Sequence, residues 1–149
     1  AWVDIGYTAE GSNFVFDNTF EDVEVAEELE AIRILQTRRM ITLNFACAEL
    51  TAANLQRAFN GGTVETAGGV VTFEPPDAGD YTEVMIGWES DDGLERWVFR
   101  QCIQVGNVDI ARRKAPDKAT VPMSFRCTKP ASEAAFVFLQ AEDYVEPGS

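Results

Sequence analysis

The chain has 149 residues, a formal net charge of −13 and a hydrophobic fraction of 46%. This length and composition are typical of one globular domain and exclude global disorder. The acidic balance argues against proteins that grip nucleic acid, because their affinity comes from neutralised phosphates. No run approaches the roughly 20 apolar residues that cross a bilayer, so no membrane binding is expected. The first residues also lack the basic, apolar pattern of a secretion signal, so none is expected.

Cysteine and histidine content limits the chemistry that the chain can perform. Cys47, Cys102 and Cys127 are widely spaced and lie in strand-like runs, which is typical of buried, reduced thiols. Histidine is absent from the sequence, which removes the commonest general base and the Ser-His and Cys-His nucleophile pairs. A zinc site would need thiolates and carboxylates alone. We therefore expect no catalytic residues, no metal site and no cofactor.

Alternation of apolar and polar residues predicts strands along the first third of the chain. Short strand-like runs occupy residues 14–16 and 22–26. Residues 25–35 are also compatible with a helix, because their apolar side chains fall at helical spacing, and this choice stays open. Residues 40–48 alternate more strictly. Their core-facing set is Ile41, Leu43, Phe45 and Cys47.

One helix is predicted after that strand. Thr51 is a suitable N-cap, because a threonine hydroxyl accepts a hydrogen bond from the first turn. Leu55, Ala58 and Phe59 form an apolar stripe, and Gly61 supplies the stop signal at the C-terminal end.

Further strands, separated by turn signals, are predicted in the second half of the chain. They occupy residues 69–73, 82–88, 96–105, 108–114, 121–128 and 134–140. Gln101 interrupts the alternation of its run, which indicates a bulge or a change of environment. The last run is apolar at both parities, so we expect burial on both faces, within the subunit or by a neighbour. The predicted fold class is all-β, a sandwich or squashed barrel of two antiparallel sheets with one flanking α-helix.

Charge is segregated along the chain. Residues 1–32 contain nine acidic side chains and no base, and residues 58–95 contain nine more, again without a base. The basic residues cluster only at Arg112, Arg113 and Lys114, with Lys118 nearby. Surfaces of opposite sign on one chain favour contact between successive copies of it. A solvated acidic face with no partner is the alternative.

Acidic and aromatic residues also suggest three other functions. Paired carboxylates such as Asp91 and Asp92 suggest a glycosidase-like enzyme, although neighbours on a strand point to opposite faces. The same residues suggest calcium binding, but their spacing is that of a turn. Trp88 and Trp97 flank this turn and suggest a monomeric carbohydrate-binding or adhesion module. A cross-strand pair in the core is the alternative for the two tryptophans.

The beginning of the chain resembles a known family. It reads Trp2-Val3-Asp4-Ile5-Gly6-Tyr7-Thr8-Ala9-Glu10-Gly11. This stretch resembles the opening of major tail tube proteins from long-tailed, non-contractile bacteriophages, the siphophages. The order of an acidic segment at 21–30, a strand at 40–48, the segment 50–62 and a late strand at 121–125 is also similar to that family. The resemblance covers most of the chain, especially residues 1–75, and suggests an actinobacterial phage as the source.

The resemblance implies a single tail tube domain over residues 1–149, with an N-terminal arm at 1–10 and a C-terminal tail at 141–149. It implies a structural virion protein without enzymatic activity, assembled in the host bacterial cytoplasm. Copies would form stacked rings, hexameric as in the family, around a channel for DNA during ejection. The implied partners are further copies, the tape-measure protein and the tail terminator and tip proteins, while DNA passes without specific binding.

Charge pattern and resemblance together predict contacts between subunits through an extended acidic loop. The candidate acidic residues are Glu21, Asp22, Glu24, Glu27, Glu28 and Glu30. Their candidate partners on a neighbouring subunit are Arg112, Arg113 and Lys114. Carboxylates lining a channel would also keep DNA from adhering to its wall.

Overall fold

The computed structural model describes residues 2–6, 8–30, 32–112 and 119–142. The strands are β1 (Thr8–Val23), β2 (Arg33–Cys47), β3 (Thr63–Ala67), β4 (Val70–Glu74), β5 (Val84–Glu89), β6 (Glu95–Gln104), β7 (Val121–Cys127) and β8 (Phe136–Gln140), and the helix is α1 (Ala52–Ala58). Six strands form one antiparallel sheet in the order β1-β2-β7-β6-β5, with β8 also paired to β6, and β3 and β4 form a second sheet. The predicted all-β class with one flanking helix is confirmed.

The alternation read from the sequence defines the core where β2 pairs with β7. Ile41 lies opposite Cys127 and Cys47 lies opposite Val121, so the apolar residues of both strands share one face. The buried members of this face are Ile41, Leu43, Cys47, Val121, Met123, Phe125 and Cys127. Phe45 is half-buried and stacks on Phe125 with ring centroids 5.8 Å apart. The core-facing set predicted for residues 40–48 is confirmed.

An aromatic cluster folds the six-stranded sheet back on itself. The ring centroid of Phe14 in β1 lies 5.3 Å from those of Trp97 and Phe99 in β6. It also lies 5.4 Å from the ring of Phe136 in β8. β1 is hydrogen-bonded only to β2, so these contacts bring one end of the sheet against the other. Large rings bury much apolar area per residue, so this cluster holds β1 against β6 and β8.

The predicted irregularity at Gln101 is a β-bulge. Val84 pairs with Cys102 and Ile86 pairs with Phe99, so β6 carries one more residue than β5 across this stretch. On its other side, β6 pairs with β8 before the bulge and with β7 after it. The extra residue therefore marks the place where β6 changes partner.

Helix α1 begins and ends as its sequence predicts. The Thr51 hydroxyl accepts a hydrogen bond from the Asn54 backbone N–H at 3.2 Å. After the helix the chain turns at Asn60, which adopts a left-handed φ of 62°, and Gly61 follows at 135°. Phe59 is partly exposed, but its ring centroid lies 5.8 Å from that of Phe73, which attaches the β3–β4 hairpin to the helix.

Gln104 connects α1 to the sheet through buried hydrogen bonds. Its side-chain amide donates to the Ala58 carbonyl at 2.9 Å and to the Gly106 carbonyl at 3.2 Å. Its side-chain carbonyl accepts from the backbone N–H groups of Gly106 at 2.8 Å and Ser124 at 3.0 Å. The backbone of Gln104 also exchanges two hydrogen bonds with the Asn60 side chain.

The open choice at residues 25–35 is decided against a helix, and one predicted strand is wrong. Residues 25–30 and 32 form the connection between β1 and β2 instead of a helix, and β2 begins at Arg33. The side chains that suggested the helix, Val25, Leu29 and Ile32, are all exposed. Residues 108–112 of the predicted strand 108–114 have no regular secondary structure, and the end of that run lies outside the described residues.

Replacing Gln104 by Leu should lower the free energy of unfolding by about 2–4 kcal/mol, because backbone groups of Ala58, Gly106 and Ser124 lose their partners in a buried site. Chemical denaturation followed by circular dichroism measures the change. Gln140→Leu, at an exposed position of β8, is the matched control and should change stability little. Equal losses in the two variants would contradict the role assigned to Gln104.

Candidate assembly surfaces

β1 and β2 form a hairpin that extends beyond the rest of the sheet. The two strands pair from the body as far as Val23 opposite Arg33. β7, however, pairs with β2 only from Ile41 to Cys47. We call residues 17–40 the hairpin arm. The arm is a two-stranded ribbon, and nearly all its described side chains are exposed.

Large apolar side chains are exposed along the hairpin arm. They are Phe20, Val25, Leu29, Ile32, Ile34 and Leu35. Ile34 is 64% exposed and Leu29 extends completely into solvent. Clustered apolar side chains on a surface are typical of a contact site for another protein.

The six candidate acidic residues all lie on the hairpin arm and are all exposed. The expected extended loop holds only four of them, Glu24, Glu27, Glu28 and Glu30. Glu21 and Asp22 lie in β1, because its pairing with β2 continues as far as Val23. We call residues 24–30 the acidic loop. In the part of the chain that the structure describes, neither ion pair involves the arm; they join Arg96 to Glu89 and Arg100 to Glu133.

The candidate basic partners are only partly described. Arg112 is exposed at the end of the irregular segment that follows β6. Arg113 and Lys114 lie outside the described residues. The pairing of these three residues with the acidic loop stays a prediction.

A second basic surface lies where the hairpin arm joins the body. Arg38 and Arg39 of β2, together with Arg126 and Lys129 from β7 and its continuation, line a cleft of about 290 Å³. We call it the basic cleft. The Arg39 guanidinium lies 5.3 Å from the Phe16 ring centroid, a cation–π contact. The cleft was not predicted from the sequence, because its residues are distant in the chain and converge only through the β2–β7 register. The adjacent arginines at 38–39 are the signal that would have pointed to it.

The sheet also has unpaired strand edges within the described chain. β8 is hydrogen-bonded on one side only, to β6, and β1 and β5 end the path of the sheet. Phe138 and Leu139 of β8 are 41% and 50% exposed. The predicted burial of this strand on both faces is therefore wrong for the isolated subunit. An apolar strand with a free edge is suited to pair with a neighbouring chain.

The two tryptophans of the predicted turn are cross-strand partners. Trp88 of β5 lies opposite Trp97 of β6. Trp97 belongs to the aromatic cluster, with its ring centroid 4.7 Å from that of Phe138. Trp88 is 39% exposed. Only one of the two rings is therefore free to act as part of a carbohydrate platform.

The acidic turn between these strands has a structural role. The Asp92 carboxylate accepts hydrogen bonds from the Ser90 hydroxyl at 2.6 Å and from the Leu94 backbone N–H at 3.0 Å. These hydrogen bonds, the one from Ser90 first, lower the pKa of Asp92. The carboxylate thus closes the turn. Among the residues described, no group of three His, Cys, Asp or Glu side chains is arranged to hold a metal ion.

No helix of the described ranges has the length and apolar character needed to cross a membrane. No curated protein matches the chain. A family model described as phage tail tube protein matches residues 1–147. The match covers almost the whole chain, and the strand-rich fold with one short helix is consistent with it. The chain belongs to the phage tail tube protein family.

Proposed function

We propose that this chain is the tube subunit of a siphophage tail and that its copies form stacked hexameric rings around a channel for DNA. The hairpin arm carries this proposal. It exposes large apolar side chains, and its acidic side chains take part in neither ion pair of the described residues. A monomeric protein gains nothing from such an arm, whereas a subunit that docks on its neighbours needs one. Membership of the tail tube family supports the same conclusion.

Two kinds of contact follow from the surfaces. The apolar edge at β8 suits lateral pairing with the next subunit of a ring, because a neighbouring strand would satisfy its open hydrogen-bonding groups. The hairpin arm extends beyond the body and suits contact with a subunit of the adjacent ring. Both contacts join different surfaces of successive copies, which is the head-to-tail arrangement that produces open tubes.

Charge determines which surface of the neighbouring subunit the hairpin arm contacts. We propose that the acidic loop lies against a basic surface of the neighbouring subunit, either the cluster Arg112, Arg113 and Lys114 or the basic cleft. A single exposed ion pair contributes only about 0–1 kcal/mol. The affinity therefore comes from the apolar side chains of the arm and from repetition around the ring, while the charges fix register and exclude wrong docking.

The finer biological setting belongs to the same proposal. The subunit would assemble in the cytoplasm of an actinobacterial host, around the tape-measure protein and between the tail terminator and tip proteins. DNA would pass without specific binding, since a chain of net charge −13 repels phosphates at close range. We propose no catalytic role and no cofactor.

Reversing the charge of the acidic loop, or of the basic surface that it contacts, should prevent tube formation without unfolding the subunit. The arm variant combines Glu27→Lys, Glu28→Lys and Glu30→Lys. The cleft variant combines Arg126→Glu and Lys129→Glu, and the cluster variant combines Arg112→Glu, Arg113→Glu and Lys114→Glu. Negative-stain microscopy of concentrated protein measures tubes, and circular dichroism checks the fold. If the unmodified chain gives only isolated particles of 16.5 kDa, the proposed function is wrong.

Combining the arm variant with each basic variant identifies the partner surface. Two reversed surfaces that face each other regain attraction, so tubes should return for the true pair and stay absent for the other. Normal tubes from all three reversed variants would contradict the charge contact while leaving the tube itself intact.

Shortening the hairpin arm should separate folding from assembly. The variant joins Asn18 to Arg39, which are register partners, through an Asn-Gly turn that favours hairpins. The body keeps its core, so its thermal midpoint should change by no more than about 3 °C, and tubes should be absent. Sedimentation velocity and microscopy measure the result. Stacked tubes from the shortened chain would contradict the role of the arm.

A further inference from the structure

Cys102 and Cys127 lie directly opposite each other in β6 and β7. Their sulfur atoms are 3.0 Å apart, and the side chains are 0% and 6% exposed. Cys47 lies opposite Val121 at the other end of β7 and is therefore remote from this pair. The core thus contains two thiols in contact and one that stands apart.

The position of the pair in the ladder suits a covalent bond. The Thr128 backbone N–H donates to the Gln101 carbonyl at 2.8 Å. This hydrogen bond places Cys102 and Cys127 at a non-hydrogen-bonded site, where opposed Cα atoms lie about 4.5 Å apart and side chains approach most closely. Disulfides span Cα separations of about 4.4–6.8 Å, so the bond fits at the short end of that range.

The two sulfurs differ in access and in acidity. Cys127 lines the basic cleft, which opens to solvent, whereas Cys102 is fully buried. The hydrogen bond between the thiols lowers the pKa of Cys127. The same hydrogen bond, followed by burial, raises the pKa of Cys102. Cys127 borders the cleft and is therefore the sulfur that an external reagent meets first.

We propose that Cys102 and Cys127 form a disulfide within the subunit by exchange with a low-molecular-weight disulfide. The Cys127 thiolate attacks one sulfur of the small disulfide, which releases one small thiolate and leaves a mixed disulfide. The Cys102 thiol gives its proton to the departing thiolate as its sulfur attacks that of Cys127. Two protein thiols are oxidised and one small disulfide is reduced to two small thiols.

The bond would join the two halves of the sheet at their narrowest connection. β6 and β7 are paired only over 102–104 and 125–127. A covalent link there ties the β1-β2-β7 half to the β8-β6-β5 half. The disulfide stands independently of assembly, but its use rests on the proposed function. Subunits would assemble in a reducing cytoplasm with both cysteines as thiols. The disulfide would form after the particle leaves the cell.

The test incubates the purified full chain with oxidised glutathione under native conditions, followed by mass spectrometry. The expected product has lost the mass of two hydrogen atoms, and proteolysis without reductant gives a linked peptide pair that contains Cys102 and Cys127. Cys47→Ser, the matched control, should form the same bond, and Cys127→Ser should not. An unchanged mass, a persistent glutathione adduct, or linkage through Cys47 or between chains would overturn the proposal.

Oxidation should also raise the thermal midpoint of the unmodified chain by roughly 5–10 °C, because the bond closes a loop across the junction. The oxidant should not shift the midpoint of Cys127→Ser. The peptide mapping needs no variant, so a variant that fails to fold leaves the test intact. A disulfide that forms without raising the midpoint would overturn its role as a staple. Because the readouts use isolated subunits, failure of tube formation does not affect them.

Discussion

The pairing of β1 with β2 is longer than the rest of the sheet can cover. These strands contain 16 and 15 residues, whereas β7, which continues the sheet from β2, contains 7. The covered part of β2 buries its apolar face in the body. The uncovered part forms the hairpin arm, where the same backbone hydrogen bonds exist without a core beneath them. The basic cleft lies at the junction between the body and the arm.

The body is stabilised by contacts within the subunit. The β2–β7 face supplies the buried apolar core, and the aromatic cluster around Phe14 holds β1 against β6 and β8. Gln104 satisfies buried backbone groups between α1 and the sheet. An isolated two-stranded hairpin is marginally stable in water, so the arm contributes little to this folding energy. Its exposed apolar residues are the ones that the proposed contact with another copy would bury.

Sequence patterns predicted the body well because its residues obey local rules. The strict alternation of residues 40–48 and 121–128 reflects one buried face, and the Thr51 cap acts through a hydrogen bond within four residues. Gln101 indicated the bulge because this polar residue interrupts the alternation of apolar and polar residues along β6. These patterns arise from interactions within one chain, and the isolated subunit contains those interactions.

The arm and the basic cleft were harder to predict for two physical reasons. Val25, Leu29 and Ile32 fall at helical spacing by coincidence, since no face of the arm is selected by a core within the subunit. The cleft is assembled by the β2–β7 register from distant residues, and the arginine pair at 38–39 does not define it alone. The apolar pattern of residues 134–140 predicted burial that the subunit alone does not provide at Phe138 and Leu139.

Hydrogen–deuterium exchange of the hairpin arm, compared between dilute subunits and assembled tubes, tests the account most directly. The backbone amides of residues 17–40 should exchange rapidly in the free subunit and slowly in the tube, because neighbouring copies cover them only after assembly. The amides of 41–47 should be protected in both states and serve as the internal reference. Arm amides that exchange equally in the two states would contradict the claim that the arm is completed by another copy.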